Sequence, residues 1–243
     1  MQVLGIDIGG SGIKGGIVDI ETGELLGERQ RIETPQPATP QAVAETINEL
    51  VKHFNWSGKI GCGFPAVIQH GVAKTAANID VTWIGANVQE IITSITRCPT
   101  TVVNDADAAG LAEMKFGVGK DINGVVLLLT VGTGIGSALF NDGILVPNTE
   151  YGHFYYKDTV AEKYCADSVR KQLDLGWDEW AKRFNNYLRH LERVINPELF
   201  IIGGGVSKKQ DKFAHLLSLS TEVKIAQLEN NAGIIGAAVS AIS

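Results

Sequence analysis

Apolar positions along this chain gather into short runs that end in a polar residue and a turn of small residues. The first, Leu4 to Ile20, reads LGIDIGGSGIKGGIVDI: an apolar run with one acid near its end, a Gly-Gly-Ser-Gly turn, a lysine and a second apolar run. From Val125 the order returns as VVLLLTVGTGIGSALF, followed by the acidic turn Asn141-Asp142-Gly143 and a third run at Ile144 to Val146. The first copy has its own acidic turn at Glu21-Thr22-Gly23, with a third strand expected over Glu24 to Ile32. Strands are also predicted at Lys59 to Phe64, Thr100 to Val103 and Glu198 to Ile202. Helical spacing predicts helices over about Gln41 to Phe54, Val160 to Leu173 and Trp177 to Ile195, an alanine-rich stretch predicts one from Asp105 to Phe116, and Asn231 to Ile242 reads as a helix of small residues suited to close packing. Thr39-Pro40 supplies the cap and first turn of the earliest of these.

The two turns carry the first chemical signal. Turns this poor in side chains let backbone amides approach an anion closely, and phosphate is the expected guest. In the first copy the candidates are Asp7, Gly9, Gly10, Ser11 and Lys14, with Asp7 suited to hold a hydrated magnesium ion through water rather than by direct ligation. In the second they are Thr130, Gly132, Thr133 and Gly134, with Thr130 standing where the first copy has Asp7. A plain glycine-turned hairpin is the competing reading of either copy alone. Together they predict an internal duplication. The pattern resembles the sugar kinase, Hsp70 and actin superfamily. That resemblance implies a two-domain, ribonuclease H-like α/β fold in which duplicated phosphate hairpins face a central cleft.

Composition narrows the classes. A chain of 243 residues with 44% hydrophobic and 20% charged residues is that of a folded soluble protein, large enough for two domains. A formal charge of −6 argues against a nucleic-acid or membrane-surface binder. Cys62, Cys98 and Cys165 are odd in number and lack CxxC spacing, so reduced thiols are expected, with no disulfide framework and no structural zinc. No leader or long apolar run is evident, and a cytoplasmic location is expected.

Further candidates lie where strands end. Asn78 offers the donors and acceptor a sugar hydroxyl needs, although a loop asparagine also suits a turn, and Trp83 offers a flat apolar face. Asn104 and Asp105 follow a buried strand directly. Asp105 reads either as a helix cap or as a carboxylate that orients a hydroxyl and takes its proton late, with Asn104 holding a neighbouring hydroxyl. Glu150 and His153 share a glycine-interrupted loop after a strand and match paired sugar hydroxyls, unless they are merely surface groups. Gly204 and Gly205 belong to a triple glycine opening a helix, a phosphate contact by its amides and dipole. Lys208, Lys209 and Lys212 cluster there in an acidic chain, which suits a long inorganic polyanion or, more plainly, a solvated helix face.

Taken together, GIDIGGSGIKG, TPQPATP, TAANID with Trp83, VVNDADAAGLAEM, LLLTVGTGIGSALF, LVPNTEYGH and LFIIGGGVSKK resemble the ROK (repressor, open reading frame, kinase) family of sugar kinases, and within it the polyphosphate glucokinases. The resemblance runs nearly the whole chain. It implies that Asp105 is the catalytic base and that Asn104, Glu150 and His153 bind glucose hydroxyls. Glu162 is the nearest match to a further sugar-binding glutamate that follows the family's zinc-binding cysteine cluster, a cluster missing here. It implies transfer of a phosphoryl group from inorganic polyphosphate to the 6-hydroxyl of D-glucose with Mg2+, in a homodimer. An ATP-dependent hexokinase for glucose or mannose is the alternative, and a non-catalytic sugar-sensing regulator a more distant one. The family's repressors carry a helix-turn-helix before the first hairpin, and with that hairpin starting at residue 2 none is expected. The expected domains are 1–107, completed by the C-terminal helix 231–243, and 108–230.

Overall fold

The computed structural model describes residues 1–77 and 79–242. Contacts divide the chain into two compact units, Met1–Ala112 with Asn230–Ser243, and Glu113–Glu229. In the first unit β1 (Gln2–Ile8) and β2 (Ile13–Asp19) form the predicted hairpin, and β3 (Gln30–Ile32) pairs with β2. Helix α1 (Pro40–His53) follows, then β4 (Ile60–Phe64), the small hairpin of β5 (Ile68–Gln69) and β6 (Val72–Ala73), helix α2 (Val88–Thr96), β7 (Thr100–Asn104) and helix α3 (Asp105–Phe116). The sheet order is β3-β2-β1-β4-β7. Thr39 caps α1 by accepting from the Ala42 amide, and Val43, Ile47, Leu50 and Val51 are buried along one face, as their spacing requires.

The second unit repeats the plan. β8 (Val125–Val131), β9 (Ile135–Asn141) and β10 (Ile144–Val146) form the antiparallel half of its sheet. Then come the hairpin of β11 (Tyr155–Tyr156) and β12 (Thr159–Val160), helices α4 (Ala161–Cys165), α5 (Asp167–Gln172) and α6 (Trp177–Ile195), and strands β13 (Leu199–Gly203) and β14 (Glu222–Ile225). Its order, β10-β9-β8-β13-β14, is that of the first sheet strand for strand, with the same parallel and antiparallel pairings. The duplication read from the sequence is therefore present in the topology. Helix α6 buries Trp180, Phe184, Leu188 and Leu191 against β8 and β13 in this unit's own core.

Three expectations need correction. The strand foreseen from Glu24 shortens to Gln30–Ile32, because Gly27 takes a left-handed φ of 99° and only a lone bridge joins Leu25 to Val18. The helix foreseen over Val160 to Leu173 breaks at Ala166, which is extended, and so becomes α4 and α5. The triple glycine opens not an α-helix but a 3-10 segment, Gly205–Lys212, kinked at Lys209.

The chain returns to the first unit as α7 (Ala232–Ser240), a helix of small residues that packs backbone to backbone. A Cβ added at Gly61 would lie 1.7 Å from the Ala237 carbonyl oxygen, and one at Gly236 only 1.6 Å from that of Ala108. Only glycine permits such an approach, because the obstacle is backbone and cannot swing aside. No helix among the described residues is long and apolar enough to cross a membrane. Overpacking of this kind costs about 3 kcal/mol, and each kcal/mol moves the melting midpoint of a chain this size by about 2–4 °C. Gly236→Ala should therefore lower the midpoint in differential scanning calorimetry by about 6–12 °C. Gly176→Ala, where an added Cβ meets nothing, should leave it nearly unchanged.

Candidate active site

The β1 and β8 turns occupy the same place in their sheets. Asp7 and Thr130 are each the penultimate residue of the first strand of their unit. Each has a glycine, Gly63 or Gly203, opposite it on the parallel neighbour. The turns close on themselves: the Gly9 amide donates to the Gly12 carbonyl at 3.1 Å and the Gly132 amide to that of Gly134 at 3.0 Å.

In the first unit Lys14 Nζ donates to Asp7 Oδ2 at 3.0 Å, so this carboxylate and lysine act as a pair. The first turn of α7 covers the same carboxylate, since a Cβ on Gly233 would come within 2.8 Å of Asp7 Cγ. Two further groups brace this turn. Thr34 Oγ1 donates to the Gly9 carbonyl, and Arg31 Nη2 to that of Ser11 at 2.6 Å. Asn104 ends β7 and is buried. Its Oδ1 accepts from the amides of Ala106 (2.8 Å) and Asp107 (3.2 Å), and its Nδ2 donates to the Ala66 carbonyl at 3.1 Å. Asn104 thus caps α3, the role that the plainer of the two readings gave to Asp105, and ties that helix to the Phe64-Pro65-Ala66 turn. Asp105 stands at the first position of α3, exposed, with Oδ1 accepting from the Ala106 amide at 2.8 Å. Asp107 is buried two residues further on. Trp83 is not a platform for a sugar: it is fully buried, edge-on to Phe64, with Nε1 donating to the Ala38 carbonyl. Asn78 lies outside the described residues.

The second unit gathers Glu150, His153 and Glu162 around the start of β9, directly after the Gly132–Gly134 turn. Glu150 Oε2 is 2.6 Å from His153 Nδ1, and His153 Nε2 is 3.8 Å from Glu162 Oε1. A carboxylate only accepts, so Nδ1 carries the proton towards Glu150. Glu162 Oε2 in turn accepts from the Ile135 amide at 3.3 Å, and a Cβ on Gly134 would collide with it. Gly152 lets the loop lie on β9, because a Cβ there would stand 2.0 Å from the Ile135 carbonyl oxygen. Gly204, at φ 77°, packs against the backbone of Val131, and the Gly205 amide nitrogen lies 3.9 Å from where a Cβ on Gly132 would be. Gly132, Thr133, Gly134, Gly204 and Gly205 therefore form one amide-lined surface in this unit. Lys208, Lys209 and Lys212 follow it and are exposed.

Ser168, Arg31 and Thr34 were missed by sequence reasoning. The Ser168 amide donates to the Gly132 carbonyl at 3.1 Å and its hydroxyl to that of Thr133 at 2.6 Å, which explains the helix break at Ala166. No local sequence signal marks a partner 35 residues away.

Among the described residues no cluster of three or more His, Cys, Asp and Glu side chains is placed to hold a metal ion. Asp7 offers one carboxylate with Oδ1 beyond the Lys14 pair. That fits an ion such as Mg2+, which keeps most of its waters and takes its remaining ligands from phosphates.

The sequence model of the ROK family matches residues 3–169. The chain belongs to the ROK family. The polyphosphate glucokinase of Mycobacterium tuberculosis (strain CDC 1551 / Oshkosh) is 51% identical over 241 residues, covering 99% of this chain and 91% of that protein. The polyphosphate glucokinase of Mycobacterium leprae (strain TN) is 48% identical over 237 residues, covering 97% and 73%. Among solved structures, the inorganic polyphosphate/ATP-glucomannokinase of Arthrobacter sp. strain KM superposes with a TM-score of 0.95 at 46% identity, covering 99% of this chain and 98% of that one. The two-unit α/β fold is that of the ROK sugar kinases.

Asp167 anchors the helix that carries Ser168. Burial raises its carboxyl pKa, but hydrogen bonds and charge from Lys171 and Arg170, each at 2.7 Å, outweigh this and hold it below its ordinary value of 3.8. A depressed carboxyl stabilises the fold above its unfolded pKa and loses that contribution as pH falls through the folded value. Asp167→Asn should thus be less stable than the parent near pH 7 in urea unfolding, and the gap should close as pH drops below 3.8.

Proposed function

We propose that this protein is a polyphosphate-dependent glucokinase. The reaction moves the terminal phosphoryl group of inorganic polyphosphate to the 6-hydroxyl of D-glucose, giving glucose 6-phosphate. The observation that carries this reading is the gathering of Glu150, His153 and Glu162 beside a glycine-lined turn, in a chain half identical to proteins named polyphosphate glucokinase.

The 6-oxygen attacks the terminal phosphorus, the bond from that phosphorus to its bridging oxygen breaks, and the shortened polyphosphate leaves with the electron pair. Asp105 orients the hydroxyl and receives its proton late, so a strong base is not required. Glu150 and Glu162 accept from the other sugar hydroxyls and the His153 ring bonds to them as well, with Asn104 and Asn78 assigned to the same task. Amides of Thr133 and Gly134, with the hydroxyls of Thr130 and Thr133, hold the phosphoryl group as charge spreads over its oxygens, and Gly132, whose own amide closes the turn, lets that group approach closely. Gly9, Gly10, Ser11 and Lys14 hold the donor from the first turn, and Gly204, Gly205, Lys208, Lys209 and Lys212 hold its outer phosphates. A magnesium ion, when bound through water at Asp7, would screen the donor's negative charge.

The glucomannokinase relative, named for both donors, favours a second reading in which ATP also serves and mannose is also accepted. A homodimer belongs to the proposal, and sedimentation equilibrium tests it. Steady-state kinetics with each donor test the rest. Asp105→Asn should lower kcat at least about a thousandfold with every donor, the upper part of the range for a lost general base. Lys208→Ala should raise KM for polyphosphate more than KM for ATP. Equal effects of Lys208→Ala on both donors would remove the polyanion track, and an active Asp105→Asn would remove the base.

A further inference from the structure

Across β1, β2 and β3 the register sets Asp7 opposite Lys14 and Lys14 opposite Arg31. These three side chains therefore share one face of the sheet, in a row at the mouth of the first glycine turn. Residues directly opposite on antiparallel strands have their Cβ atoms about 5 Å apart, and like charges there repel. Among the described residues Asp7 pairs only with Lys14, so the row of three carries one positive charge more than it balances. That charge is not adrift. Arg31 is fixed over the turn by its bond to the Ser11 carbonyl, close enough that a Cβ on Gly12 would fall 2.5 Å from Nε. A guanidinium has five N–H donors, and this bond occupies one of them. Among the described residues the Gly10 and Ser11 amides beside it have no backbone acceptor.

The second copy shows what the sheet does without this device. At the matching places it has Thr130 and Gly136, and its third strand stops pairing at Val146 opposite Leu139. A row with surplus positive charge, set against uncommitted amides, is thus particular to the first turn.

We propose that Arg31 is a donor-binding residue, its guanidinium taking a phosphate of the donor together with Lys14 and the turn amides. This inference rests on the phosphoryl-transfer reading above. The bond to Ser11 aims the planar fork, so part of the ordering cost is met before the donor arrives.

The test separates charge from bracing. Arg31→Gln can still donate to the Ser11 carbonyl but lacks the charge, whereas Arg31→Lys keeps a charge and loses the fork. KM for polyphosphate and for glucose is measured in each variant, alongside calorimetric titration with inorganic tripolyphosphate. The Gln and Ala variants should each raise donor KM and weaken tripolyphosphate binding by about tenfold or more, the loss of one charge-assisted bond. The Lys variant should fall between them and the parent, and KM for glucose should stay within about twofold. Parental behaviour of Arg31→Gln would reduce Arg31 to a brace, and an unchanged donor KM in Arg31→Ala would overturn the proposal outright. Should the parent protein transfer no phosphoryl group to glucose, the function proposed above falls. Tripolyphosphate titration would then decide Arg31 alone, with loss of binding in the Gln variant supporting the contact and retained binding refuting it.

Discussion

A turn built of glycine has no side chains to hold its shape, and glycine loses more conformational freedom on ordering than any other residue. Whatever these turns bind, their amides can point at it only if neighbouring groups fix them beforehand. The first turn is fixed by Thr34 and Arg31 on its carbonyls. The second is fixed by Ser168 on two of its carbonyls, by Glu162 on the amide just after it, and by Gly204 packed against Val131. In neither case does a bracing group take the amides of Gly10 and Ser11 or of Thr133 and Gly134. The folds around the turns can be understood as means of delivering those braces to the right place.

The two units accordingly have the same sheet topology, each in a sheet of its own, yet differ in detail. Strand order and pairing are common to both, since they position the turn at the end of a central strand. The braces are not common. The first unit takes them from its third strand and the loop after it, and the second from helices α4 and α5, whose separation at Ala166 frees the Ser168 amide for the turn. A continuous helix would spend that amide on its own ladder.

How much of this was legible follows the range of the interactions. The hairpins were legible because small-residue turns between apolar runs are local signals, and so was α1, whose Thr39 cap and Pro40 lie within one turn. The close packing of α7 followed from its composition. What failed depended on distant partners. Trp83 sits in a polar stretch, but Asp80 caps a short 3-10 turn that rolls the indole inward under Ala38. Asn104 and Asp105 are adjacent, and nothing in the sequence says which caps α3; in the structure the Asn104 side-chain Oδ1 accepts two amides. Arg31 went unnoticed because its role depends on cross-strand register, which shifts every side chain to the other face with a slip of one residue.

The return of the chain as α7 has a consequence for biogenesis. The helix that seals β1 and β4 through Gly5 and Gly61 is translated only after the whole of the second unit. While the ribosome is still at work, the first sheet presents an unsealed apolar face, with bare glycine backbone where the helix will dock. Such a nascent intermediate is prone to association and is a natural client for chaperones. The first unit to begin emerging is thus the last to mature.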